Sequence, residues 1–408
     1  MKCRHCGAIL SNTLIDLFSS PPSNSYLTVK TIKHAEKWYP LKVLICEKCW
    51  LVQTEDFVGV KEMFNDEYAY FSSFSKSWLS HVEIYVDNIV ERFKLNNLSN
   101  VIEVAANDGY LLEFIQEKQI PCYGIEPTHS TAVSAKNKGI EIVEDFFGIR
   151  LALSLAAQSR KADLMIANNV LAHVPNINDF VQGFSLLLNE SGVATFEFPH
   201  LLNLIVNSQF DTIYHEHYSY LSITSVVIIF QDNGLEVFDV DELPTHGGSL
   251  RVYAQRIDTG KHTVSKSVNN ILKKEAGYGM NTLDFYKDFH IKAEESKFDL
   301  LHFLINSKGR GQKVIAYGAA AKGNTILNFC GIKSDLVPFV VDKNPNKIGK
   351  YMPGSHIPIV EESLIKIEKP KYILILPWNL KDEVTEQLSY IRDWGGEFVV
   401  ATPKLEIF

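Results

Sequence analysis

The run Val101-Ile102-Glu103-Val104-Ala105-Ala106-Asn107-Asp108-Gly109-Tyr110-Leu111-Leu112 constrains the fold more than any other stretch. A β-branched strand enters a tight turn and leaves as a helix, which reads as the first βα unit of a nucleotide-binding sheet. Further strand patterns end at Glu126, at Asp145, at Ala167 and at His200, with spacers between them, so the chain is expected to be α/β and Rossmann-like. The turn is poor in glycine beside the dinucleotide fingerprint, and Asn107 and Asp108 would crowd and repel a pyrophosphate. A ligand without phosphates is expected there.

The strand ends suggest which ligand. Glu126, followed by Pro127, stands where such a sheet places a ribose-binding carboxylate. Asp145 with Phe146 and Phe147 supplies an acid and two aromatics able to flank an adenine. Together with Glu103, Ala105, Asn107, Asp108, Gly109 and Asn168, these positions predict a site for S-adenosylmethionine (SAM). Any one acid could be a solvated turn residue, but an ordered series at successive strand ends argues for a site.

The groups able to move a proton are concentrated in Tyr214-His215-Glu216-His217-Tyr218-Ser219-Tyr220, just past the fifth strand. Two imidazoles flank a carboxylate among phenols, a setting for a general base. His-x-His also ligates metals, and a Tyr/His-rich loop also fills cores. His173, in Asn168-Asn169-Val170-Leu171-Ala172-His173-Val174-Pro175, falls at the same sheet edge, where it either faces the site or packs.

Cys3-x-x-Cys6 and Cys46-x-x-Cys49 form two knuckles whose four thiolates would close a structural zinc site, while Cys122 and Cys330 stand alone in apolar surroundings. A module of this size cannot bury a large core, and metal would help it. Serine at any of the four should remove zinc and destabilise the module, with SAM affinity less affected. At 408 residues the chain exceeds one ordinary core. Its net charge of −8 argues against nucleic acid as main partner, and no apolar run is long enough for a membrane span. The start lacks a secretory pattern, so a cytoplasmic location is expected. The oligomeric state is not legible; a monomer is compatible with the sequence.

Before the first βα unit, Trp78, Val82, Tyr85, Ile89 and Phe93 recur at helical spacing as a core stripe. After the fifth strand unit, charged helical segments lead to Lys308-Gly309-Arg310-Gly311, then to the strand Val314–Gly318, the loop Ala319-Ala320-Ala321-Lys322-Gly323-Asn324 and a second strand ending at Asp342. This second βαβ unit invites an NAD reading, yet Ala320 stands where glycine is needed for close approach of a pyrophosphate. Lys322 either meets a phosphate or is solvated. Pro377-Trp378-Asn379 marks a strand end without evident chemistry.

Taken in order, the cysteine knuckles, Glu103-to-Gly109 turn, NNVLAHVP loop, IYHEHYSY, Thr245-His246-Gly247-Gly248-Ser249-Leu250-Arg251 and YGAAAKGNT resemble the SAM-dependent sugar C-methyltransferases of deoxysugar biosynthesis over nearly the whole chain. One departure is Ala105, where many members carry glycine. The resemblance implies a zinc-binding domain over 1–64, a SAM-dependent methyltransferase domain over 65–258, and a helical linker with a Rossmann-like domain over 259–408 that helps form the sugar-nucleotide pocket. It implies methylation, through an enolate, of a carbon next to the ketone of a nucleotide-linked 4-keto-6-deoxy sugar. His217 would be the base, Glu216 would orient its imidazole or stabilise its cation, and Tyr214, Tyr68 and His173 would complete the catalytic set, Tyr70 being able to replace Tyr68. Tyr70, His200, His215, Lys322 and Asn324 would meet the substrate. The rival readings are a zinc-ribbon RNA methyltransferase, an NAD-dependent sugar-nucleotide dehydrogenase and a catalytically silent scaffold.

Overall fold

Three sheets carry the described residues. The computed structural model describes residues 1–57, 59, 73 and 76–408; Tyr68 and Tyr70 lie outside the described residues. The first sheet joins β1 (Asn12–Ser20), β2 (Tyr39–Ile45) and β3 (Val52–Thr54) with β9 (Ser219–Tyr220), all antiparallel. Val52 pairs with Tyr220 and Gln53 with Ser219, so the small N-terminal sheet is completed by the Tyr/His-rich segment. β1 carried no clean alternation that would have announced it.

The two faces of this small sheet pack in opposite directions, as side chains alternating along a strand must. Leu44 and Leu51, with the cysteines, join the core that contains Phe184, Phe196 and Phe230. Ile15, Val43, Ile45 and Val52 join a second core with Phe210, Ile326 and Leu327 from farther along the chain. The module therefore gains its apolar burial from both larger units rather than from a core of its own.

The helix Lys76–Phe93 follows, burying Val82, Tyr85 and Ile89 as the helical stripe predicts. The second sheet is built from β4 (Val101–Val104), β5 (Cys122–Ile125), β6 (Ile142–Val143), β7 (Ala162–Asn168), β8 (Leu188–Pro199), β10 (Leu235–Leu243) and β11 (Ser249–Arg256). Its order is β10-β11-β8-β7-β4-β5-β6, parallel from β8 to β6 and antiparallel at β10 and β11. The strand order reverses between β4 and β7, which opens a crevice at their carboxyl ends.

The helices Lys266–Tyr278 and Phe289–Gly309 lead to the third sheet. It consists of β12 (Val314–Tyr317), β13 (Val340–Val341), β14 (Ile359–Val360), β15 (Tyr372–Ile375), β16 (Glu397–Val400) and β17 (Glu406–Ile407), in the order β14-β13-β12-β15-β16-β17. Only the last pairing is antiparallel. At the loop after β12, Ala319 is already satisfied from within: its N–H donates to Asp342 at 2.7 Å, and its carbonyl accepts from the Tyr26 hydroxyl at 2.6 Å and Lys347 Nζ at 2.8 Å. No described helix is long and apolar enough to cross a membrane.

Candidate active site

At the carboxyl ends of β4 to β7 lies a cavity of ≈ 410 Å³, lined by Ala105, Asn107, Glu126, Pro127, Asp145, Phe146, Asn168 and His173 among others. Its size is that of an ordinary small-molecule site. The turn that shapes it places Ala105 at φ +59° and Asn107 at φ +50°, while Gly109 at φ +77° begins the helix Tyr110–Glu117. A Cβ on Gly109 would sit about 3.0 Å from Ile140 and 3.1 Å from Ala135, so glycine is required there for packing. Asparagine tolerates a left-handed backbone, whereas alanine there costs roughly 1–2 kcal/mol. Ala105→Gly should therefore raise stability by roughly 0.5–1 kcal/mol after the entropy of the freer unfolded chain is subtracted. Urea titration checks this, and an unchanged or lower midpoint would show that the strain is not stored at Ala105.

Glu126 is both lining and scaffold. Its carboxylate accepts from the N–H of Asn107 and of Thr128, each at 2.9 Å, tying the first turn to the end of β5. Burial raises its pKa, and those two N–H donors oppose the rise. Asn168 is the polar group that calls for a ligand: it is buried, lines the cavity, and neither Oδ1 nor Nδ2 has a protein partner. Unpartnered amide groups of this kind are costly unless a bound molecule completes them. The carboxylates of Glu126, Asp145 and Asp179 on the wall disfavour a pyrophosphate. Phe146, 42 % exposed, offers an apolar face at the opening. These residues fit SAM.

Several residues expected at this site are placed otherwise. Glu103 and Asp108 are both about 1 % exposed and do not line the cavity. Glu103 lies beneath the turn, its pKa pushed well up by burial and by the nearby Asp108 and Glu126. Asp108 pairs with Lys138 at 3.6 Å. Gly109 serves the backbone. Phe147 turns inward to meet Phe180 and Phe184 edge-on, with ring centroids 5.6 and 5.1 Å apart, leaving Phe146 as the more open aromatic.

Beside the cavity stands the imidazole pair His173 and His217, with ring centroids 4.6 Å apart and planes at 72°. Nδ1 of His217 lies 2.8 Å from the carbonyl of Thr212. A carbonyl can only accept, so Nδ1 carries the proton and Nε2 keeps the lone pair. Burial, with neighbouring His173, Lys322 and His246, holds the His217 pKa well below its usual value. His217 is thus neutral and able to accept a proton at physiological pH. Burial likewise lowers His173 to about 4. The Tyr214 ring lies 3.9 Å from that of His217.

The N-terminal and C-terminal units both bond the segment that carries this imidazole. The His217 carbonyl accepts from Thr54 Oγ1 at 2.6 Å, and Thr325 Oγ1 donates to Ile213 O at 2.8 Å. From the C-terminal unit Lys322 donates to Asn379 at 2.7 Å and lies 4.6 Å over the Trp378 ring, and Trp378 Nε1 donates to Asp211 at 2.7 Å. Burial lowers the Lys322 pKa and raises that of Asp211 to about 6. A cation, the three imidazoles of His173, His217 and His246, and a carboxyl group thus converge.

The roles expected for four neighbours are corrected. Glu216 does not orient His217; its carboxylate accepts from Asn24 at 2.6 Å, and burial lifts its pKa to about 7. His215 points to the small sheet, where Nε2 donates to the carbonyls of Tyr39 and Pro40 at 3.3 and 3.2 Å. His200 is fully buried against Glu275 at 2.7 Å, and Asn324 is 1 % exposed and bonds Ser23 O at 2.5 Å. These three hold the units together rather than face a substrate.

Thr128 and Asp179 also line the cavity, as do Asn169 of the NNVLAHVP loop and Trp78, expected only in the core stripe, while Thr212 O holds Nδ1 of His217. His246, within the THGGS motif, accepts from Asn169 Nδ2 at 3.3 Å, and its ring centroid stands 5.4 Å from that of Trp78, so the motif meets two residues of the cavity wall. A larger cavity, ≈ 650 Å³, opens along the helix Lys76–Phe93 toward β10 and β11; His217, Tyr214 and His173 do not line it.

The four cysteine Sγ atoms lie within 4.8 Å of one another, with Cys3 and Cys49 3.6 Å apart and Cys6 and Cys46 3.5 Å apart. Tetrahedral zinc with bonds of ~2.3 Å spaces sulfurs at about 3.8 Å, so the cluster fits a closed structural zinc site.

Three family models match successive parts of the chain: a zinc binding domain over residues 3–64, a methyltransferase domain over 78–240 and a C-methyltransferase C-terminal domain over 244–403. The chain is 30% identical over 403 residues to C-methyltransferase NovU from Streptomyces niveus, covering 99% of this chain and 96% of that protein. Among solved structures, magnesium protoporphyrin IX methyltransferase from Synechocystis PCC 6803 with bound SAH is 18% identical, covering 44% of this chain and 83% of the other at a TM-score of 0.35. A SAM-dependent methyltransferase from Anabaena variabilis is 14% identical, covering 44% and 86% at a TM-score of 0.37.

Proposed function

The chain belongs to the C-methyltransferase family that combines a zinc binding domain, a methyltransferase domain and a C-methyltransferase C-terminal domain, and it is a SAM-dependent methyltransferase; from this we propose that it methylates a carbon next to the ketone of a nucleotide-linked 4-keto-6-deoxy sugar, with His217 as the base. The observation that carries the proposal is the His217 tautomer: Nδ1–H is spent on Thr212 O, and a neutral Nε2 is left beside the cofactor cavity.

A carbon is not nucleophilic until it loses a proton, and an adjacent ketone permits that loss by spreading the charge onto oxygen. His217 Nε2 takes the proton; the resulting imidazolium keeps its bond to Thr212 O. Tyr214 and the Lys322 cation are the groups available to stabilise the enolate oxygen or the sugar-linked phosphates. Glu126, Asn107, Asn168 and Phe146 would hold SAM, which supplies an electrophilic methyl group. Pairing of β3 with β9 and the Thr54 bond to His217 O keep the base from drifting.

The C-terminal crevice argues against a dehydrogenase. Tyr26, Lys347 and Asp342 already saturate the Ala319 peptide where a dinucleotide would lay its pyrophosphate. Incubating the protein with SAM and a 4-keto-6-deoxy sugar nucleotide should give a product heavier by one CH₂, located by NMR on a carbon flanking the ketone. Methyl transfer to RNA instead, or reduction of the ketone by NADH, would refute the reading. Glu126→Ala should weaken SAM binding by about 1.5–3 kcal/mol, the worth of hydrogen bonds to a charged acceptor. Calorimetry that finds SAM affinity unchanged while the sugar nucleotide binds more weakly would move SAM out of this cavity.

A further inference from the structure

We propose that Arg4 and His5, the two residues between the first pair of cysteines, are positioning residues that couple the zinc site to the wall of the SAM cavity. The inference rests on the reading that SAM occupies that cavity. Arg4 is half-buried, and among the described residues no carboxylate forms an ion pair with it. Its guanidinium instead bridges two separate backbones: Nη1 donates to Pro175 O at 2.8 Å and Nη2 to Thr54 O at 2.9 Å. Its plane also lies 5.1 Å from the Tyr218 ring centroid. Pro175 and Asn176 line the cavity, and Thr54 holds the carbonyl of His217. One cation therefore touches the cofactor wall and the strand that fixes the base.

His5 makes the second tie. Its Nδ1 lies 2.8 Å from Asn178 Oδ1, and Asn178 Nδ2 donates to His5 O at 2.9 Å, which fastens the knuckle to the start of the helix Ile177–Leu187. Asn176, the cap of that helix, accepts from the N–H of Asp179, another cavity residue. On the metal side, Gln53 Nε2 donates to Cys3 Sγ at 3.2 Å while Gln53 Oε1 accepts the Arg4 N–H at 2.9 Å. The chain of contacts is continuous from a zinc-ligating sulfur to the cavity wall. Bound zinc would fix the backbone of the knuckle, and the fixed knuckle would aim Arg4 and His5 at the 175–178 loop. Partners one step beyond a metal's own ligands commonly matter in this way.

The test uses full-length protein and reads SAM affinity by calorimetry together with zinc content by mass spectrometry. Arg4→Met and Asn178→Ala should each keep one zinc per chain and bind SAM about 10-fold more weakly, the low end of what such outer partners cost. Ile9→Thr, an exposed change on the same module, should bind SAM as the wild type does. If Arg4→Met does not fold, Asn178→Ala alone decides. SAM affinity within twofold of wild type with zinc retained, or equal weakening in Ile9→Thr, overturns the proposal. Glu126→Ala measured alongside separates the two readings: insensitivity of that variant faults the placement of SAM, not the coupling.

Discussion

His217→Asn should lower methylation by about 10²–10⁴-fold, the usual cost of a lost general base, while SAM and substrate still bind. Asparagine can still donate an amide N–H to Thr212 O, so the loop keeps its anchor, but its amide oxygen does not accept a proton at neutral pH. The pH profile adds a second expectation. Because the His217 pKa is depressed, the imidazole stays neutral as pH falls through 6.5 and becomes protonated, hence useless as a base, only well below it. The acid limb of kcat/KM should accordingly lie well under pH 6.5. A limb at the ordinary histidine value would mean that the base is in water rather than in this buried pair.

Cys46→Ser should take zinc content from one per chain toward zero and lower the melting temperature of the whole chain, since zinc in four-cysteine sites contributes on the order of 10 kcal/mol to folding. A self-contained module would confine the damage and leave SAM binding less affected. The structure changes the expectation, because β3 pairs with β9 next to His217 and the knuckle holds the 175–178 loop. SAM affinity and methylation should fall with the zinc. Full zinc occupancy in the variant would remove Cys46 from the site, and loss of zinc with wild-type SAM affinity would restore the independent module.

What the sequence made legible was local. The strand, left-handed turn and helix around Asn107 are set by residues next to one another, and the acids at strand ends follow the parity of a parallel sheet. The knuckles announce themselves by spacing. Contacts made across the chain were not legible, and these decide roles. His215, Glu216 and His217 are consecutive, yet one meets Tyr39 and Pro40, one meets Asn24 and one meets Thr212. Motif membership therefore overstated the reach of the site: His200 and Asn324 belong to conspicuous strings but spend their polar groups on Glu275 and Ser23. Conversely, Trp378 and Asn379 looked inert because their partners Asp211 and Lys322 lie 167 and 57 residues away.

Proton removal by His217 can be seen without methyl transfer. Wild-type protein, given a 4-keto-6-deoxy sugar nucleotide and a SAM analogue without a transferable methyl in heavy water, should exchange one hydrogen next to the ketone, followed by NMR. His217→Asn should bind the same sugar nucleotide and lose that exchange together with methylation. A His217→Asn protein that exchanges and methylates at near wild-type rates would contradict the account and place the base elsewhere, with His173 the nearest imidazole to test.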